Sequence, residues 1–433
     1  MFQVIIIVCA LVGFAYVAWR SREQAVALIV FALPLYLMRF SIWSVPSTLL
    51  EGAILILFIV WVLKKGGVSG AVRCMQDRIN GAQRAERLLY LFLFFLVLSA
   101  TVNIAFSPDM RAGLGVWRAY FVEPALFFIV FLDTMRSAEQ VRRAISASIL
   151  SGAPIALLAV YQKLTGWNIP APWDVERRVT SIYPYPNAVG LYCAPIIWLA
   201  IGRIRESIGE KKIFHAFGMA GTALLLVIAL TFSKTEAAVV ALAVSFFGVG
   251  MLWSVRARIV TLGIAAVGLL IFFFVPMVSA PLTEKMLLKD WSGQVRIATW
   301  TETVAMLKDH PFTGAGLAGY QMSLEPYHTH EYLEIFLYPH SIILNFWSET
   351  GLYGAVSIML VFVTLFVLCA KTIRKKRHRD TMIGTTAFAI VAALVTILVH
   401  GLVDVPYFKN DLAIFFWFLA ASVIALHRLS YES

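Results

Sequence analysis

Apolar runs recur from one end of this chain to the other, and they leave few folds open to it. Leu224–Leu230 and Leu262–Phe274 are typical. A helix needs about twenty apolar residues to cross the hydrocarbon layer. In lipid, only helices and closed barrels satisfy every backbone N–H and C=O. The runs here are continuous rather than alternating, which excludes a barrel. Of 433 residues, 60% are hydrophobic and 14% charged, against roughly 25% charged in a soluble domain. The chain reads as an all-α polytopic membrane protein with one integral membrane domain, 1–433.

Twelve to thirteen spans are expected, near 2–19, 25–38, 47–63, 88–105, 117–132, 144–162, 187–202, 213–230, 236–253, 259–279, 341–369, 382–403 and 411–427. Pro34 and Pro46 interrupt the second and third. Met1–Trp19 lacks a basic leader and a small-residue cleavage site, so it reads as a retained span rather than a signal peptide. Four scattered cysteines, Cys9, Cys74, Cys193 and Cys369, have no metal-ligand spacing and read as small hydrophobes.

The net charge of +11 is a topology signal. Two thirds of the 36 basic residues fall in alternate loops: Arg20 and Arg22, Lys64 to Arg87, Arg136 to Arg143, Arg203 to Lys212, Arg256 and Arg258, Lys371 to Arg379 (Lys376, Arg377 and Arg379 included), and Arg428. The positive-inside rule makes that side cytoplasmic, with the N-terminus outside and the C-terminus inside. Basic residues so placed speak against nucleic acid as a partner.

The other side receives the loops 163–186, 231–236 and 404–410 and one large extracytoplasmic segment, 280–340. Within that segment, Val295–Leu307 puts Ile297, Trp300, Val304 and Leu307 on one helical face, as in an amphipathic helix lying on a membrane surface. The glycines of His310–Tyr320 break it. Arg177 and Arg178 either grip phosphate or snorkel to headgroups. Lys234 either pairs with Glu236 or faces a cavity mouth. His328 and His330 with Glu331 and Glu334 match no closed zinc pattern; they read as a solvated, substrate-facing loop, with no metal expected. His340, at the head of a span, either accepts protons or is an interfacial histidine satisfied by the backbone. Trp291, Trp300, Tyr320, Tyr327 and Tyr332 either stack on sugars or anchor at the interface.

Taken together and in order, these segments resemble the O-antigen ligase / O-antigen polymerase superfamily of bacterial membrane glycosyltransferases. His340-Ser341-x-x-Leu344 with Glu349-x-Gly351 is similar to that family's His-Asn/Ser-x-x-Leu…Glu-x-Gly signature. Arg296-x-x-x-Trp300 with Pro311-Phe312-Thr313-Gly314-x-Gly316 resembles its Arg-x-x-x-Trp…Pro-x-x-Gly-x-Gly element. Arg178-Val179-Thr180-Ser181 with Pro186-Asn187 resembles its Arg-x-Thr-Gly…Pro-Asn element, and Thr231-x-Ser233-Lys234 its Thr-x-Ser-Arg turn. The resemblance covers about 175–365. Ser341 stands for the commoner Asn, Ser181 for Gly, and Lys234 for Arg, which keeps the charge but loses the planar fork.

The resemblance implies a multi-pass protein of the bacterial cytoplasmic (inner) membrane. It would transfer a glycan from undecaprenyl diphosphate to an acceptor hydroxyl at the outer face. The acceptor, whether lipid, second glycan (a polymerase) or protein, stays open. No cofactor is expected. His340 is the expected base, and Arg178 and Arg296 the groups that offset leaving-group charge. Arg177, Lys234, Asn187, Tyr320 and His328 are the further substrate-binding candidates. Glu349 lies nine residues beyond His340, about 13 Å along a helix, so it is expected to tie helices together. A membrane transporter is the alternative from another class; it would place ionisable groups in mid-span.

Overall fold

The computed structural model describes residues 2–42, 45–375 and 382–432; Lys376, Arg377 and Arg379 fall outside the described residues. It is helical almost throughout, as the apolar runs require. Among the described residues, ten helices are long and apolar enough to cross a membrane: Arg84–Phe106, Met110–Thr134, Ala138–Thr165, Asn187–Gly209, Ile213–Ser233, Glu236–Trp253, Val255–Phe274, Ile342–Arg374, Met382–His400 and Asn410–Glu432. The protein is a multi-pass membrane protein.

The expected first and third spans are the helices Phe2–Arg20 and Leu49–Lys64; the stretch between them departs from expectation. The span expected at 25–38 is a ten-residue helix, Arg22–Phe31, followed by a 3-10 turn, Leu33–Leu37. Pro34 sits at the start of that turn, where its missing N–H costs least. Pro46 lies in a two-stranded hairpin that pairs Arg39–Ile42 with Val45–Thr48; proline is tolerated on such edges. Helix Leu49–Lys64 then starts at a capping box, with Thr48 and Glu51 each satisfying the other's backbone N–H.

At the basic end, one buried carboxylate gathers the expected cations. Asp133 lies 2.9 Å from Lys65 and 3.0 Å from Arg136, and accepts from the Trp61 indole at 2.9 Å and the Cys74 thiol at 3.3 Å. Cys193 and Cys369 are buried as expected; Cys9 is exposed. The most enclosed helices are Asn410–Glu432 and Asn187–Gly209; Val255–Phe274 is the least enclosed.

Residues 276–341 form a lid over the opposite end. Pro276 ends the span Val255–Phe274 and opens a short helix, Pro276–Met286. The amphipathic stretch runs longer than expected, Trp291–Asp309, capped by the Asp290 carboxylate. The covered side is not the expected apolar face: Ile297 and Val304 are exposed, while Ala298, Glu302, Thr303, Met306 and Leu307 are buried. Met306 and Leu307 meet the helix Tyr320–Leu324 in a small core with Ala315, Tyr320 and Leu324. The glycine-rich turn then docks on the bundle: Ala315 N–H donates to Ser348 O at 2.7 Å and Leu317 N–H to Asn103 O at 3.2 Å. Gly351 (φ +68°) breaks the helix Ile342–Arg374 opposite Phe312, whose carbonyl would lie 2.0 Å from an added Cβ. Glu349 joins this seam through the Ala318 N–H; it ties its helix to the lid turn and not, as expected, to a neighbouring helix.

Candidate active site

The lid delivers His340 through one helix face. Arg296 and Trp300 are one turn apart on Trp291–Asp309 and point to the same side. Trp300 donates to Pro339 O at 2.9 Å, fixing the residue before His340. Arg296 donates from Nε to Val403 O at 3.0 Å and from Nη1 to Ser292 O at 3.2 Å. The Arg-x-x-x-Trp spacing thus clasps two separate segments.

His340 has φ +48°, a left-handed conformation uncommon for a residue with a side chain. It turns the chain sharply before Ser341 caps the next helix on Leu344 N–H. Strain of this kind survives where surrounding contacts over-determine it. Those contacts are Trp300 on Pro339, and Ile342 N–H on Gly401 O at 2.6 Å. Phe336 and Tyr338 pack edge-on to the imidazole, with centroids 5.2 and 5.0 Å away.

The His340 Nδ1 faces Asp404 Oδ1 at 3.8 Å. Asp404 is buried in the loop between Met382–His400 and Asn410–Glu432. Its Oδ2 accepts from Asn187 at 3.2 Å and its Oδ1 from Val405 N–H at 2.8 Å. Burial opposes its ionisation, but the His340 and His400 imidazoles and the Val405 N–H prevail and hold the carboxyl at about 2.

Asn187 also accepts, at 2.9 Å, from Arg178 Nη2. Arg178 Nε donates to Ser233 O at 2.7 Å, and its guanidinium stacks 5.0 Å from the Trp173 ring centre. Burial lowers its pKa, against the pull of Glu236 and Glu176. The loop beneath is pinned by Gln162, whose carbonyl accepts from Thr180 and Ser181 N–H at 3.1 and 2.7 Å. The Thr231-x-Ser233-Lys234 turn serves as a shelf of carbonyls: Val179 N–H donates to Phe232 O at 3.3 Å, and Arg178 reaches Ser233 and Lys234 O.

Arg178, Asn187, Arg296 and His340 are therefore brought together around the segment Val403–Asp404. The other candidates are not. Lys234 is exposed and pairs with Glu176 at 2.7 Å; it does not pair with Glu236, which binds Lys285. Arg177 is exposed in a left-handed turn. Tyr320 is buried in the lid core with its hydroxyl 2.7 Å from Thr303. His328 is fastened by both ring nitrogens, to Glu302 at 3.1 Å and Leu333 O at 3.0 Å. His330 and the Thr329 and His330 N–H groups bind the same Glu302. Burial opposes that carboxylate's ionisation, yet these donors hold it at about 2. The His-x-His cluster is a staple within the lid. Of the aromatics, Trp300 holds Pro339, Tyr327 donates to Asp309 at 2.7 Å, and Trp291 and Tyr332 are exposed.

Sequence reasoning missed Asp404. Its signal was modest: a carboxylate between two apolar spans, next to His400, in a loop already assigned to this side.

Residues 219–359 match the family model described as O-antigen ligase. The motif resemblance to the O-antigen ligase superfamily is borne out by this match, which includes Arg296 and His340 and leaves Arg178, Asn187 and Asp404 outside it. No curated protein matches the chain.

Proposed function

We propose that this chain, with its O-antigen ligase region at 219–359, moves a glycan from undecaprenyl diphosphate to an acceptor hydroxyl without a metal ion, at the outer face of the bacterial cytoplasmic membrane. The observation that carries this reading is the hydrogen-bonded array Arg178–Asn187–Asp404, with His340 Nδ1 facing Asp404 at 3.8 Å, beyond hydrogen-bond distance, and Arg296 on the same loop.

The acceptor oxygen attacks the anomeric carbon and its proton passes to His340 Nε2. The bond from that carbon to the diphosphate oxygen breaks, and the electron pair leaves with the lipid diphosphate. Asp404, on the Nδ1 side, orients the ring and stabilises the imidazolium as it forms; a positioned base of this kind typically contributes about 10²–10⁴-fold. Arg178 Nη1 and Arg296 Nη2 donate to no group among the described residues, so each guanidinium is anchored on one side and open on another. Fixed cations aimed at developing charge act strongly where water is scarce. The test is turnover of a lipid-linked glycan by purified protein in the presence of chelator. Activity that persists supports a metal-free site; activity that chelator abolishes and divalent cation restores contradicts it.

A further inference from the structure

The loop that carries Asp404 also carries an ammonium with nothing to hold. Lys409 Nζ is covered from solvent and donates to no acceptor among the described residues. It lies over the faces of Tyr183 and Tyr185, 4.8 and 4.3 Å from the ring centres. The nearby carboxylates are already engaged. Asp411 accepts from Tyr183 Oη at 3.0 Å and Leu412 N–H at 2.9 Å; Asp404 accepts from Asn187 and Val405. Burial lowers the ammonium's pKa, with Asp411 and Asp404 acting the other way.

A cation removed from water is costly unless its protons are taken up. Aromatic faces return only part of that cost. Lys409 is also close to the chemistry. The Tyr338 hydroxyl donates to the Tyr185 hydroxyl at 3.0 Å, and the Tyr338 ring packs 5.0 Å from the His340 ring. Two rings therefore separate the ammonium from the imidazole. Arg178 and Arg296 are held on backbone carbonyls, whereas Lys409 combines a flexible stem with three uncommitted N–H donors.

We propose that Lys409 is a third phosphate-binding cation of this site, reaching the diphosphate of the lipid-linked donor and following it as it leaves. This rests on the reading of the site given above. When the anomeric C–O bond breaks, the electron pair adds one negative charge to the diphosphate, and the Lys409 ammonium offsets it without giving up a proton.

The test is binding of undecaprenyl diphosphate to purified protein in detergent, with neutral undecaprenol as control. Lys409→Met should weaken undecaprenyl diphosphate binding at least tenfold and leave undecaprenol unchanged. Lys409→Arg should stay within about threefold, since an Arg keeps the charge. Lys409→Gln replaces the apolar variant if that one does not fold, as judged by its melting temperature. Equal affinity of wild type and Lys409→Met for the diphosphate overturns the Lys409 role alone. An equal loss for undecaprenol also overturns it, because the residue would then act by packing. Wild-type protein that does not bind undecaprenyl diphosphate overturns the reading of the site itself.

Discussion

Asn187 donates to the Asp404 carboxylate at 3.2 Å across 217 residues of sequence. The same amide accepts from Arg178 on its other side, so one side chain joins the phosphate-seeking cation to the residue that orients the base. Removing it breaks two hydrogen bonds to charged groups, each worth about 1.5–3 kcal/mol. Asn187→Ala should therefore lower the melting temperature and, because cation and base lose their common brace, lower kcat/KM about 10- to 100-fold. Steady-state kinetics with a lipid-linked donor checks this, and Asn187→Asp should do worse than Ala by setting two carboxylates against each other.

His340→Ala should abolish transfer, with a loss of about 10²–10⁴ in kcat, while donor binding survives. Asp404→Asn should lose activity to a lesser degree, since the base remains and only its orientation and charge stabilisation go. Asp404 itself has its pKa lowered from 3.8 to about 2. A depressed carboxylate stabilises the fold above its unfolded value and loses that contribution as pH falls through the folded one. Its charge is thus constant across the working range. The acid limb of the pH–rate profile should survive in Asp404→Asn; a profile that becomes flat would contradict the assignment of roles.

Gly351 is required by geometry. Its φ is +68°, and an added Cβ would lie 2.0 Å from Phe312 O. Gly351→Ala must shift the lid turn away from the helix, at about 1–3 kcal/mol from strain alone. A lowered melting temperature together with lowered activity is expected, because the same turn leads to His340.

The Glu302 staple gives the lid a pH response. Its carboxylate lies at about 2 against an ordinary 4.5, so its contribution is full above 4.5 and lost as pH falls toward 2. Residues 325–335 should gain hydrogen exchange below about pH 4. Glu302→Gln, which weakens the histidine contacts at every pH, should show that exchange already at neutral pH. Protection that is identical in the variant would remove Glu302 from this role.

Much of this fold was legible because hydrophobic length and charge bias are properties of single segments. The later spans follow their apolar runs within a few residues. The first and third also follow theirs, as the helices Phe2–Arg20 and Leu49–Lys64; the second did not, since Pro34 opens a 3-10 turn and a hairpin holding Pro46 follows it. The acids buried in helices were also hard to foresee: Glu51 is paired with Arg118 and Glu86 with Arg428 and His427, which depends on packing between distant helices. At the site, Arg178, Arg296, Asn187 and His340 carry motif spacing of their own. Asp404 has none. Lys234 had the right type and position, but its direction is set by Glu176, a partner that spacing alone does not indicate.

The central claim is that His340 and the cations around Asp404 transfer a lipid-linked glycan. It is tested most directly by reconstituting purified wild-type and His340→Ala protein into vesicles with an undecaprenyl-diphosphate-linked glycan and an acceptor, then identifying products by mass spectrometry. Wild type should yield glycosylated acceptor and free undecaprenyl diphosphate in equal amounts, and folded His340→Ala neither. Full turnover by His340→Ala, or glycan passing across the vesicle membrane with its lipid bond intact, would contradict the account.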